Sequence, residues 1–358
     1  MFTIYILVTI ALGLSVYLLR NSRLANAALL FCSLSFCLTS LEAYYRFFYI
    51  QSDGLGRGMK NFSDRYYRFD SYGLRDSHLP LSETKDNLVV VGDSHVFGAG
   101  LKSTSERFSE RLGTHYPEVH VVNLGLPGWD TKTETAKLTE YLGPGNVSGS
   151  APGRGHRPRL QLVVLTYFFN DIEEDVTAAD RERVRGPTPP AQPTWIDDAL
   201  QWLSKYSRFV ELFYYRIGYP RLVRDKLGQI QMFYKDPAII SRHMATLEQF
   251  RSVVEKQYSA RLLVVVLPYL HSDGLLHKTG FYRGFDTKLS KHGFSYIDMH
   301  STFATYGVRK LWVNRFDPHT NGFANQLIAQ AIIGFLDQHP EFGVASQEER
   351  FMKGSSNR

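Results

Sequence analysis

The chain has 358 residues, and its 41 Lys and Arg against 35 Asp and Glu leave a formal charge of +6 spread along the sequence. That spread excludes the basic runs of a nucleic-acid-binding face, and the length suits one sizeable core with room for a further segment. Its two cysteines, Cys32 and Cys37, share one apolar stretch, so neither a disulfide framework nor a cysteine-based metal site is open to it.

Two apolar runs come first, Phe2 to Leu19 and Leu24 to Leu41, divided by Arg20-Asn21-Ser22-Arg23. At ~1.5 Å per residue each just reaches across ~30 Å of hydrocarbon. A cleaved signal would carry basic residues before its apolar run, and none precedes Phe2. The expectation is a transmembrane helical hairpin over residues 1–50. Arg20 and Arg23 favour a cytoplasmic turn and an exported C-terminal domain, periplasmic or extracellular, while Arg46, Arg57 and Lys60 pull the other way. The aromatic group Tyr44, Tyr45, Phe47, Phe48 and Tyr49 suits a membrane interface.

After a connector over 51–70, which includes the glycine-bearing Asp53 to Met59, five apolar runs read as strands: Leu88 to Val91, Val119 to Val122, Leu160 to Leu165, Leu262 to Leu267 and Phe294 to Ile297. Val/Leu runs without polar alternation predict strands covered on both faces. Helix starts with capping-box spacing follow Ser103 (to Glu106) and Thr131 (to Glu134), and Ile240, Met244, Leu247 and Val254 recur at helical spacing. Strand and helix in alternation predict a parallel α/β sheet over residues 71–340. Gly143 to Pro158 reads as a loose loop, and Pro187-Thr188-Pro189-Pro190 as a linker into an inserted helical region, about 187–236. Within that insert the aromatic stripe Tyr206, Phe209, Phe213, Tyr214 and Tyr215 reads as core rather than as an acyl-binding lid. Residues 341–358 form a polar tail.

Chemistry gathers where the strands end. The first is followed by Gly92-Asp93-Ser94-His95, with Gly98 and Gly100 shortly after, which presents a serine at the rim where open α/β sheets bind ligands. The second leads to Gly125-Leu126-Pro127-Gly128, the third to Phe168-Phe169-Asn170-Asp171. Gly128 can offer a backbone N–H and Asn170 a side-chain amide to an oxyanion near Ser94; the plainer role for Asn170 is to cap the turn after it. Close to the C-terminus, Asp317-Pro318-His319 precedes an amphipathic helix, Leu327 to Leu336, and supplies a base with a carboxylate to orient it. Glu173, Glu174 and Asp175 read as a solvated helix start. The pairs His271/His277 and His292/His300 read as solvated surface.

These four blocks, in this order, resemble the SGNH/GDSL hydrolase family, from about Tyr72-Gly73-Leu74-Arg75 to Leu336. The resemblance implies a flavodoxin-like three-layer sandwich. It implies Ser94 as nucleophile, His319 as base, Asp317 as its orienting partner, and the N–H groups of Ser94 and Gly128 with the Asn170 amide as oxyanion donors. Three positions depart from the family pattern: His95 replaces an apolar residue, Phe168 replaces a glycine, and Asp317 precedes His319 by two residues rather than three. The expected activity is hydrolysis of, or acyl transfer from, a carboxylic ester, with no cofactor and no metal. Expected partners are the membrane and an acyl ester, either an O-acylated glycan or a lipid, and not nucleic acid. A non-catalytic glycan-binding or assembly scaffold of the same fold is the rival reading, and it would be marked by a missing nucleophile or base.

Overall fold

The computed structural model describes residues 2–53, 58–143, 158–184, 194–215, 219–270 and 284–344. In chain order its main elements are helices α1 (Phe2–Leu18), α2 (Ala25–Ala43) and α3 (Gly58–Tyr66), strand β1 (Asp86–Gly92), α4 (Ser94–Phe97), α5 (Phe108–His115), β2 (Val119–Gly125), α6 (Thr131–Leu142) and β3 (Leu160–Tyr167). Then come α7 (Ala178–Val184), α8 (Trp195–Ser204), α9 (Arg208–Phe213), α10 (Tyr219–Phe233), α11 (Pro237–Ser252), β4 (Arg261–Val266), α12 (Phe285–Lys291) and β5 (Tyr296–Asp298). The last are α13 (His300–Ala304), α14 (Val308–Leu311), β6 (Trp312–Asn314), β7 (Asp317–Thr320) and α15 (Gly322–Gln338). The chain divides into two compact units, one of Met1–Arg65 with Pro189–Lys226 and one of Tyr66–Thr188 with Leu227–Arg358. The loop expected over Gly143 to Pro158, the linker at Pro187 to Pro190, the pair His271/His277 and most of the polar tail lie outside the described residues.

In the first unit α1 and α2 form an antiparallel hairpin. Phe2 meets Phe47, Thr9 bonds Ser35 and Thr39, and Gly13 lies against Cys32, so one helix descends as the other rises. Ala25–Phe48 is long and apolar enough to cross a membrane by length and composition, and only 11% of its most apolar window is buried, unlike a core helix. Phe2–Leu18 is apolar and shorter. The aromatic stripe in the insert does not behave as core throughout, because Tyr206 and Phe213 are exposed.

In the second unit the five Val/Leu runs become the five strands of a parallel sheet in the order β2-β1-β3-β4-β5. β3 is buried along its whole length, and β1 from Asn87 onward, as uninterrupted apolar sequence requires. Helices α5 and α15 pack together beside β2, and α6 packs with α11 beside β1, which completes a flavodoxin-like three-layer sandwich. α15 turns Ala324, Leu327, Ile328, Ile332 and Leu336 inward at helical spacing. Two predicted helix starts shift. Ser103 opens only a short 3-10 turn, with α5 beginning at Phe108. Asp130 rather than Thr131 caps α6, accepting the Thr133 N–H at 2.9 Å, and Glu134 is buried instead of closing a capping box.

Candidate active site

β1 lies between β2 and β3, so the chain leaves β1 to one side and returns on the other, opening a crevice at the carboxyl ends of these strands. Asp93 follows β1 directly and caps α4 by accepting the His95 N–H at 2.9 Å, which sets Ser94 as the first helical residue. Asn123 of β2 braces this short helix, donating to the Val96 carbonyl at 2.9 Å and to Ser109 Oγ at 2.8 Å.

Opposite stands a two-stranded antiparallel ribbon of β6 and β7, for which the sequence analysis named no strand. Residues two apart on a strand share a face. That period gives the two-residue spacing of Asp317 and His319 its physical sense: both side chains project to one side. The His319 Nδ1–H donates to Asp317 Oδ1 at 2.5 Å, and its backbone N–H donates to the same oxygen at 3.2 Å. On the other edge of the ring, Nε2 accepts from the Ser94 hydroxyl at 2.9 Å. Burial disfavours the charged ring, but the Asp317 carboxylate, with a smaller contribution from Asp93, outweighs it and raises the His319 pKa.

Asp317 is held in place by residues that sequence reasoning did not single out. A Cβ on Gly100, at φ +79, would lie 2.7 Å from Asp317 Oδ2 and 2.6 Å from Val313, so only glycine lets the carboxylate settle there. The Gly100 N–H donates to the Tyr67 hydroxyl at 2.8 Å. Burial, with the Asp317 charge adding to it, pushes the Tyr67 pKa up to about 12. Arg75, fully buried, stacks 4.2 Å over Tyr67 and donates to the carbonyls of Gly98 and Leu101, fixing both ends of the glycine turn. The visible signal for it was a charged residue in the otherwise apolar Tyr72-Gly73-Leu74-Arg75 block.

Gly128 is exposed at φ +86, with nothing within 4 Å of where a Cβ would sit. Asn170 ends the β3 segment half-buried; its side chain makes no capping bond to the following turn, and its Oδ1 has no hydrogen-bond partner among the described residues. The capping role therefore does not hold it. His95 packs beside the base: Nδ1 lies 3.3 Å from Thr320 Oγ1, and the ring sits 4.4 Å from Phe168 and 5.2 Å from the His319 ring. Burial drives the His95 pKa well below the usual value, so it is neutral.

No family model and no curated protein matches the chain. Among solved structures it is similar to a G-D-S-L family lipolytic protein from Veillonella parvula DSM 2008, at 12% identity over 69% of this chain and 96% of that one, with a TM-score of 0.36. It is also similar to TesA (14% identity, 70% and 98% covered, TM-score 0.40) and to a catalytic mutant of an acetylxylan esterase from Geobacillus stearothermophilus (14%, 70% and 93%, 0.36). Likenesses of this depth say nothing of what this chain acts on, and the functional reading rests on its own geometry.

Beside the site lies a buried acidic group. The residues read as a solvated helix start are instead enclosed: the side chains of Glu174 and Asp175 are 4% and 5% exposed. Asp175 accepts from Lys132 Nζ at 2.5 Å and Thr246 Oγ1 at 3.0 Å, and contacts His243 Nδ1 at 2.9 Å. Glu174, Asp175 and His243 bring ligand atoms within 4.8 Å of one another, with Asp175 already bonded to Lys132 and Thr246. From His243 the contacts run on through Tyr167 (2.9 Å) and Tyr234 (2.5 Å) to the Phe169 carbonyl (3.0 Å), bracing the segment that ends in Asn170. Glu134 and Asp171, both buried and with pKa raised by burial foremost and then by neighbouring carboxylates, complete the group.

Proposed function

We propose that this chain is a serine esterase that forms an acyl-enzyme on Ser94. The observation that supports this reading best is the unbroken line Ser94 Oγ, His319, Asp317, with contacts of 2.9 and 2.5 Å. His319 Nε2 takes the hydroxyl proton as Ser94 Oγ bonds to the ester carbonyl carbon, and Asp317 fixes the tautomer and stabilises the imidazolium. The N–H groups of Ser94 and Gly128 with the Asn170 amide receive the oxyanion. The carbon–alkoxide bond then breaks, His319 returns the proton to the leaving oxygen, and water attacks the acyl-enzyme by the same path. A sugar hydroxyl in place of that water would give acyl transfer with the same residues. The rival scaffold reading expects a missing nucleophile or base, and neither is missing from this line.

The hairpin serves in this proposal as a membrane anchor with the catalytic domain on the exported side, and O-acyl groups on surface or exported glycan are the substrate class. Labelling by a fluorophosphonate tests the chemistry: wild type is modified and Ser94→Ala is not. Equal labelling of both would refute the assignment of the nucleophile. Alkaline phosphatase fused after His339 tests the side, where an inactive fusion beside an active cytoplasmic reporter at the same site would reverse it.

A further inference from the structure

α8 is amphipathic, and its apolar stripe is uncovered. Trp195, Ile196, Trp202 and Leu203, with Tyr206 just beyond the helix, fall within an arc of about 120° at ~100° per residue. Asp197, Asp198, Gln201 and Ser204 fill the other side. A helix on a soluble core turns such a stripe inward, yet here it faces out: Trp195 is 79% exposed, Trp202 55%, and Ile196, Leu203 and Tyr206 are exposed too. A contiguous exposed stripe of this kind, bordered by polar residues, marks a surface with a partner.

The same unit shows where that stripe lies. Glu42, near the end of α2, is 1% exposed, and its carboxylate accepts the Ser207 hydroxyl at 2.8 Å and the N–H groups of Arg208 at 3.0 Å and Phe209 at 3.1 Å. Arg46 pairs with it at 2.8 Å from one turn further on. An anion at the start of α9 satisfies donors that the helix leaves open and complements its dipole. The clamp ties α9, and α8 packed on it, to the end of the long apolar helix where Tyr44, Phe47 and Phe48 are also exposed. Aromatic residues at the end of a span sit at the level of the lipid headgroups.

We infer that α8 lies in the plane of the membrane interface, with Trp195, Ile196, Trp202 and Leu203 inserted at the headgroup–acyl boundary of the bilayer that holds the hairpin. The partner is a lipid surface, because the stripe is tied through α9 to the exposed aromatic end of the span and combines Trp and Tyr with aliphatic side chains, the composition of interfacial helices. The inference rests on the hairpin being an anchor. It adds a second attachment, which holds the insert against the membrane.

The test uses the full chain in single-copy nanodiscs of neutral lipid, in a Cys32→Ser/Cys37→Ser background, with nitroxide labels read for collision with oxygen and with a water-soluble nickel chelate. Labels at Trp195→Cys and Trp202→Cys are expected to favour oxygen about tenfold over labels at Asp198→Cys and Lys205→Cys, which should favour nickel. A label at Leu30→Cys, an exposed position on α2, reports the anchor separately. If Leu30→Cys reads as lipid while Trp195→Cys and Trp202→Cys read as water, the interfacial helix is refuted and the anchor stands. If those two labels are shielded from both reagents, protein rather than lipid covers the stripe and the inference fails. If Leu30→Cys reads as water, the anchor fails and the inference falls with it.

Discussion

Gly100→Ala tests whether placement of Asp317 governs the reaction. The new methyl would begin 2.7 Å from Asp317 Oδ2 and 2.6 Å from Val313 Cγ2, whereas ordinary contact starts at 3.4 Å. The carboxylate must therefore retreat by about 0.7 Å, the difference between 3.4 and 2.7. Because His319 Nδ1 follows Asp317 Oδ1, a shift of that size carries to Nε2, and a ~1 Å misplacement of a reacting group costs up to ~10² in rate. Holding alanine at φ +79 adds roughly 1–2 kcal/mol of strain, and crowding against Val313 roughly 1–3 kcal/mol. The control is Gly128→Ala, where positive φ is shared but no atom lies within 4 Å, so the stability loss should be the strain alone. The assay is hydrolysis of a p-nitrophenyl acyl ester, with melting followed by circular dichroism. Expected for Gly100→Ala is a folded protein whose kcat is lower by one to two orders of magnitude. Wild-type kcat in a Gly100→Ala protein with a clearly lowered Tm would refute the argument, since the methyl would then have been absorbed without moving Asp317.

Three further outcomes follow from the same geometry. His319 must be neutral to accept the Ser94 proton, and its pKa is raised, so kcat/KM should fall on the acid side through a value above the ordinary ~6.5; Asp317→Asn should lower kcat and move that limb downward. Asn170→Ala should reduce kcat by ~10²–10³ with KM nearly unchanged, while full activity in Asn170→Asp would remove it from the oxyanion site, because a carboxylate there repels the forming charge. Glu174 has its pKa pushed up to about 8 by burial foremost, so the folded state binds its proton more tightly than the unfolded one. Its contribution is therefore complete below ~4.3 and is lost as pH rises toward 8; Glu174→Gln should flatten the fall of Tm over that window, and an unchanged slope would assign the fall to other groups.

The sheet was legible because its signal is local. A strand covered on both faces needs an apolar side chain at every position, and Leu88 to Val91 and Leu160 to Leu165 say so without reference to any other part of the chain. Ser94 and the Asp317/His319 pair were legible as residue types at strand and helix boundaries. What brings them together was not. The β6–β7 ribbon is too short for periodicity to declare it, and its role depends on Gly100, some 217 residues before Asp317, lacking a Cβ. Thr131 and Glu134 were misread for a related reason: Thr131-Lys132-Thr133-Glu134 fits a capping box in sequence, and only the structure shows Asp130 as the cap and Glu134 turned inward.

The larger gap concerns charge. A run such as Glu173-Glu174-Asp175 has a solvated face as its ordinary outcome, since burying carboxylates costs several kcal/mol each unless partners or protons compensate. Here the compensation comes from Lys132 on α6, and from His243 and Thr246 on α11, none within forty residues of Asp175 in sequence. Glu42 shows the same logic in the other unit: an acid just inside the end of an apolar helix reads as a defect until Ser207, Arg208 and Phe209 supply its hydrogen bonds. Both acids stand where one segment is fixed to another, the Asn170 turn in the first case and the insert in the second. Buried charge of this kind adds little net stability, yet removing one partner is costly, which suits groups whose task is to fix position. The rim residues carry the proposed chemistry, and Asp175 with its partners is what would hold the Asn170 edge of that rim still.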